Sequence, residues 1–233
     1  MTLFTFPELN TSVVSIESRM DEAVVVERKN RFLADISLEG RIFPCHIHDP
    51  GRLRELIFPG SRVLIRKTAG QKTDLSVTAV ILDNGEKVLL DTRFHNSIGK
   101  AFIRNPIGSE KKYLDSRFDF QIPGGYVEIK GCSMQVGQYV VFPDAPTERG
   151  AKHLRELTHA KETGMDAGVV FLVLRRGAKY FYPNLATDVK FSEEFFRALD
   201  AGVEMIFPKF TLINTNIVYC GNAELSDHTP EFF

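Results

Sequence analysis

The sequence predicts two domains, a small N-terminal β-barrel of the OB-fold type and a C-terminal α/β domain. Three observations carry that prediction. Short strand-like runs crowd residues 23–90 with turn signals between them. Beyond residue 92, apolar runs alternate with helix start and stop signals. The positive charge also sits in one block: residues 1–22 carry net −3, residues 23–73 net +5, and the rest net −3, although the whole 233-residue chain is only −1. A length of 233 residues allows two domains that each bury a core. The division is expected at residues 1–85 and 86–233.

In chain order, residues 1–22 read as an extended lead-in ending in Asp21-Glu22. Strands are then expected at Val24 to Arg28, Arg31 to Leu38, Arg41 to Ile47, Arg62 to Lys67, Leu75 to Leu82 and Lys87 to Leu90. Asn84-Gly85 separates the last two and is a strong hairpin signal. A helical patch, Arg52 to Ile57, interrupts the strands, and many short strands with one inserted helix fit the five-stranded OB barrel. Phe32 and Phe43 lie among the basic residues of this block, and both are expected to fill the barrel interior rather than to stack on bases.

Thr92 to Pro106 reads as the joint and the first helix of the second domain. A hairpin follows around Pro123-Gly124-Gly125, then a strand at Val140 to Phe142 and a helix that Asp144 could cap and Gly164 would stop. That helix carries a narrow apolar stripe, Ala151, Leu154 and Leu157, amid Arg149, Lys152, His153, Arg155 and His159. Its bland reading is a solvated amphipathic helix with Glu148-Lys152 spaced for pairing. The near-continuous apolar run Gly168 to Leu174 reads as a buried strand, followed by strand-like Lys179 to Tyr182, a helix from Ser192 to Ala201 and a strand at Val203 to Phe207. No pattern is legible from Leu212 onward.

The hairpin Arg117 to Lys130 is where chemistry concentrates. Glu128 and Lys130 share one face of their strand. A loop centred on Pro123-Gly124 puts Asp119 opposite Glu128, and two carboxylates that close need a cation or a shared proton. With Lys130 one pleat away, the set is the inner shell of a Mg²⁺-dependent phosphodiesterase. A loop centred on Gly124-Gly125 gives instead an ordinary Asp119-Lys130 ion pair, and a three-residue loop puts Asp119 opposite Ile129. A second Glu-x-Lys, Glu110 to Lys112, lies nearby without an alternating flank.

Arg117-Phe118-Asp119-Phe120, Val127-Glu128-Ile129-Lys130-Gly131 and the block FPDAPTERGAKHLREL together resemble the sugar fermentation stimulation protein family. Arg31-Phe32-Leu33-Ala34-Asp35, Cys45-His46 and Gly51-Arg52 extend the resemblance over most of the chain. It implies an OB-like barrel joined to a core resembling the PD-(D/E)xK nucleases, DNA binding, and a loosely defined link to sugar utilisation. The nuclease-like signature falls on Asp119, Glu128 and Lys130. One departure stands out: the candidate upstream helix, Asn96 to Ile103, contains no Asp or Glu to supply a further acid.

These observations set the functional expectation. Asp119 and Glu128 would hold Mg²⁺ or Mn²⁺, with the Ile129 carbonyl as a further oxygen. Lys130 would act on the attacking water and the charged phosphate. Arg28, Lys29, Arg31 and Arg52 from the barrel, with Arg149, Lys152 and Arg155 from the helix, would grip DNA largely irrespective of its sequence. Cleavage, or binding alone as a transcriptional or architectural factor, are the two readings of one fold. A homodimer is compatible with either, and a sugar-binding regulator has no sugar-site signature behind it. The cysteines Cys45, Cys132 and Cys220 are odd in number and far apart, which favours a reducing cytoplasm. Cys45-His46-Ile47-His48 lacks a second ligand pair for zinc. No apolar run reaches the roughly 20 residues of a membrane helix, and no secretion signal is expected at the N-terminus.

Overall fold

A computed structural model of the chain describes residues 2–68 and 73–233. It begins with β1 (Ser12–Ser15), followed by β2 (Met20–Asn30), β3 (Leu33–Leu38), β4 (Arg41–His46), β5 (Arg62–Lys67), β6 (Leu75–Ile81) and β7 (Lys87–Leu89). The last six form one antiparallel-rich sheet in the order β4-β3-β2-β5-β6-β7. A parallel bridge between His46 and Ser76 joins β4 to β6 and closes five strands into a barrel. Alternation explains the closure: Val25, Ala34, Ile36, Cys45, Ile47, Val63, Val77 and Ala79 all point inward and are fully buried. The OB-type barrel is therefore present.

Two expectations in this half need correction. Arg52 to Ile57 is not a helix. Leu56 and Ile57 both donate to the Leu53 carbonyl, and Leu53 itself is left-handed at φ 46°. Pro59 and Gly60 follow at once, so the turn cannot propagate, and Leu53, Leu56 and Ile57 simply plug the barrel. Phe32 does not fill the interior but sits in the turn between β2 and β3, 45% exposed. Phe43 does pack against the barrel core. The extended lead-in contributes β1, which pairs with a late strand of the second domain.

A 3₁₀ turn, Thr92–Phe94, leads into α1 (His95–Lys100), and then come β8 (Gly108–Tyr113), β9 (Ser116–Ile122), β10 (Gly125–Cys132), β11 (Gln135–Val136) and β12 (Tyr139–Phe142). The chain continues through α2 (Glu148–Glu162), β13 (Asp166–Val173), β14 (Tyr180–Pro183), α3 (Val189–Asp200), β15 (Glu204–Ile206), β16 (Pro208–Ile213), β17 (Asn216–Asn222) and β18 (Glu224–Leu225). The main sheet runs β1-β17-β16-β13-β10-β9-β8, with β15 also on β13. β12 and β14, expected in the same core, belong to a second sheet, β11-β12-β14-β18. The tail with no legible pattern supplies the β16-β17 hairpin, turned by Asn214 at φ 53°.

β10 and β13 run parallel at the centre of the main sheet, and its two faces feed two cores. Val127, Ile129, Val170 and Leu172 face the barrel and α1 in one continuous apolar cluster. Val169, Phe171 and Val173 face α2 and α3 in the other. The barrel is thus packed onto the sheet rather than tethered to it.

Candidate metal and nucleic-acid site

The β9-β10 register is Ile122 to Gly125, Gln121 to Tyr126 and Phe120 to Val127, which is the two-residue loop on Pro123-Gly124. One step further the ladder breaks. Asp119 turns its Oδ2 to accept the Ile129 N–H at 2.8 Å. On the other edge of β9 the ladder skips the same residue, because Glu110 of β8 adopts φ 52°. Interrupted pairing on both sides lets a strand carboxylate swing toward the neighbouring strand instead of standing off the sheet.

Glu128, 4% exposed, points toward α2 with Lys130. Its Oε1 accepts from Lys130 Nζ at 2.6 Å and from His153 Nδ1 at 2.5 Å. A carboxylate only accepts, so the His153 proton is on Nδ1, and Nε2 is left to accept from Arg149 Nε at 3.4 Å. Glu128 Oε2 is buried with no hydrogen-bond partner among the described residues. Burial alone would raise the Glu128 pKa, but Lys130 and His153 outweigh it and hold the carboxyl below its ordinary range. Asp119 goes the other way: burial first, then the charge of Glu128, push it up to about 6, against the Ile129 N–H, Lys130 and Asn96.

Sequence reasoning missed three residues here. His153 was assigned to a basic, solvated surface, yet it is 3% exposed. Its spacing from the buried Gly150 and Leu157 was the available signal, because positions three and four apart share a helix face. Asn96, from the helix that lacks an acid, lies close enough to Asp119 to lower its pKa slightly. His95, half-buried, packs against Gly131, where any Cβ would collide with its ring. Its Nε2 has no partner among the described residues, and burial lowers its pKa to about 4.

The basic candidates separate into engaged and open groups. Arg28 donates to the carbonyls of Asn30, Arg31, Gly51 and Arg52, tying two loops together. Lys29 pairs with Asp35 at 2.7 Å. Arg31 and Arg52, on the two loops that Arg28 ties, remain exposed. On α2, Arg149 is exposed beside His153, and Arg155 pairs with Glu194 at 3.1 Å. Lys152 donates to the Asp115 carbonyl and lies 3.8 Å from Glu156, not Glu148. Asp144 is not the α2 cap; Thr147 is. Instead, Asp144 Oδ2 accepts the Arg52 N–H at 2.7 Å and fastens the barrel loop to the second domain.

The donor set suits a hard divalent cation: two carboxylates, one with a buried unpartnered oxygen, and no cysteine. No cluster of three or more His, Cys, Asp or Glu with metal-holding geometry occurs among the described residues. No helix among them is long and apolar enough to cross a membrane.

Comparison with known proteins covers both domains. Residues 26–90 match the SfsA N-terminal OB domain, and residues 88–215 match the sugar fermentation stimulation protein RE domain. A sugar fermentation stimulation protein homolog from Saccharolobus solfataricus is 45% identical over 214 residues, 92% of this chain and 89% of its own. One from Sulfolobus acidocaldarius is 42% identical over 213 residues, 91% and 93% of the two chains. The structure of Pyrococcus furiosus SfsA in complex with Ca²⁺ matches with a TM-score of 0.83 at 26% identity, covering 93% of this chain and 99% of that one. With both domains matched in order and nearly end to end, the chain belongs to the sugar fermentation stimulation protein family.

Proposed function

We propose that this protein binds DNA and holds a divalent cation between Asp119 and Glu128. The observation that carries the reading is the Glu128 carboxylate, buried beside a second acid with one oxygen unpartnered. An unsatisfied buried carboxylate oxygen is costly, and a cation is the ligand that relieves it. The relative from Pyrococcus furiosus was solved with Ca²⁺, which takes the same oxygen donors. Bound here, Mg²⁺ or Mn²⁺ would supply Lewis acidity toward a phosphate oxygen and a more acidic water.

The chain's own residues suit the rest of the task. His153 and the Ile129 N–H fix the two carboxylates. Lys130 Nζ, 2.6 Å from Glu128, lies where a phosphate at the acids would meet a positive charge. Arg31, Arg52 and Arg149 can track a phosphate backbone on either side. Lys130 supports a second reading, phosphodiester hydrolysis, because its half-buried ammonium stands beside the acids where the charge of a reacting phosphate would develop. The absence of an acid from α1 leaves two carboxylates for the cation, as many Mg²⁺ sites that rely on substrate phosphate have.

Metal should raise the melting temperature of the wild type, and Glu128→Gln should abolish that rise. If Ca²⁺, Mg²⁺ and Mn²⁺ all leave the melting temperature unchanged, the metal reading fails. Lys130→Ala should keep DNA affinity within a few-fold and lose Mn²⁺-dependent nicking by about 100-fold or more, because charge develops only in the transition state. No nicking of single-stranded, duplex or branched DNA by the wild type would leave the binding reading alone.

A further inference from the structure

Resting on that DNA reading, we infer that the strand it takes is unpaired, with a nucleobase stacked on the Phe32-His46 platform of the barrel. Phe32 occupies the β2-β3 turn, where burial does not require an aromatic ring, and is 45% exposed. Its ring is parallel to that of His46, 12° apart in plane with centroids separated by 6.4 Å. His46 in turn meets His48 edge-to-face at 4.3 Å. Both histidines lie on the outside of the barrel wall, since the alternate residues Cys45 and Ile47 point into the core.

The surroundings carry the charge that a strand needs. Arg31 precedes Phe32, and Arg28 binds the carbonyls of both Arg31 and Arg52, so the backbones of two exposed arginines are tied together next to Phe32. An open groove of about 600 Å³ runs past Arg31, Arg52 and Arg54 to Phe58, a second half-exposed ring. On the other side the outer face continues toward the acids. Thr92 Oγ1 donates to the His48 carbonyl at 2.7 Å, and Arg66 lies over the Phe94 ring at 5.1 Å. Two residues beyond Phe94, Asn96 comes close to Asp119.

Flat apolar faces alternating with guanidinium groups match a single strand, which exposes base faces and phosphates together. A duplex hides its base faces in the stack and would meet only the arginines. The duplex explanation therefore leaves Phe32 and the parallel His46 without a partner.

The test is fluorescence anisotropy in Ca²⁺, with a labelled oligothymidylate and a blunt duplex of equal length as probes. Wild type should prefer the oligothymidylate. Phe32→Ala should weaken that probe by about tenfold and the duplex by no more than about twofold, and Phe32→Tyr should restore the preference. His46→Ala should lose the same preference, and thermal melts of each variant separate lost stacking from lost folding. Equal loss on both probes, or no loss on either, overturns the inference while leaving DNA binding intact. If the wild type binds neither probe, the DNA reading falls and takes this inference with it.

Discussion

A single side chain can look like a ligand contact in sequence and be structural in the fold. Arg28 belongs to the basic block, but its guanidinium already serves four carbonyls and burial lowers its pKa. Removing it would leave loop carbonyls without their charged donor. Arg28→Ala should therefore cost roughly 1–3 kcal/mol of stability in chemical denaturation, whereas Arg52→Ala should stay within about 0.5 kcal/mol. Equal, negligible changes in both would mean that the Arg28 contacts carry no weight. Any loss of DNA affinity in Arg28→Ala is expected to come from disorder of the Arg31 and Arg52 loops, not from a lost phosphate contact. Asp91 is structural too: fully buried, it pairs with Arg66 at 2.8 Å and with Arg93 at 2.6 Å, and it caps the 3₁₀ turn that leads into α1.

At the scale of elements, the loop that joins β4 to β5 fastens the barrel to the second domain. Gly51 donates to Asp49 at 2.7 Å, Arg52 donates to Asp144, and a Cβ on Gly51 would press on both carboxylates. Burial first, and then the charge of Asp144, raise Asp49 to about 6, while the Gly51 N–H and Arg28 pull it down and Glu55 adds to the rise. A folded pKa above the unfolded value of about 3.9 means that the fold prefers the protonated form. Stability is therefore lost as pH rises from about 4 to about 6, and stays lost above that. Asp49→Asn keeps the acceptor for Gly51 and removes the charge. It should gain roughly 1–2 kcal/mol at pH 8 and nothing at pH 4, read as the difference between two denaturation series. A pH-independent gain would point to packing instead.

For the molecule as a whole, the charge that matters is local. Net charge is −1, yet Arg31, Arg52 and Arg149 remain exposed. Affinity for DNA should fall steeply with salt, and each phosphate contact removed should reduce the log–log slope by about 0.7–0.9. Arg31→Ala combined with Arg52→Ala should flatten it by nearly two such steps. A wild-type affinity that is flat across salt would remove the electrostatic account of binding. The same scale explains why the barrel does not swing freely: its core is continuous with the sheet face through Val127, Ile129 and Phe102, and β1 is woven into the far edge of that sheet.

Local pattern determined a large part of this protein. Alternation marked the barrel strands, Asn84-Gly85 marked a hairpin that is present, and the apolar run at 168–174 marked the central strand β13, because each signal is set by neighbours in the chain. The two acids and the lysine were legible as a set, since one strand's pleat relates Glu128 to Lys130. Which register brought Asp119 to them was not legible, because a slip of one residue costs the local sequence nothing and is decided only by what each face packs against. Tertiary packing alone turned His153 inward, moved Asp144 from a helix cap to a barrel loop, and left Phe32 outside the core. It also drew residues 12–15 into a sheet with residues 216–218, since a short edge strand pairs with whatever edge the finished fold leaves open.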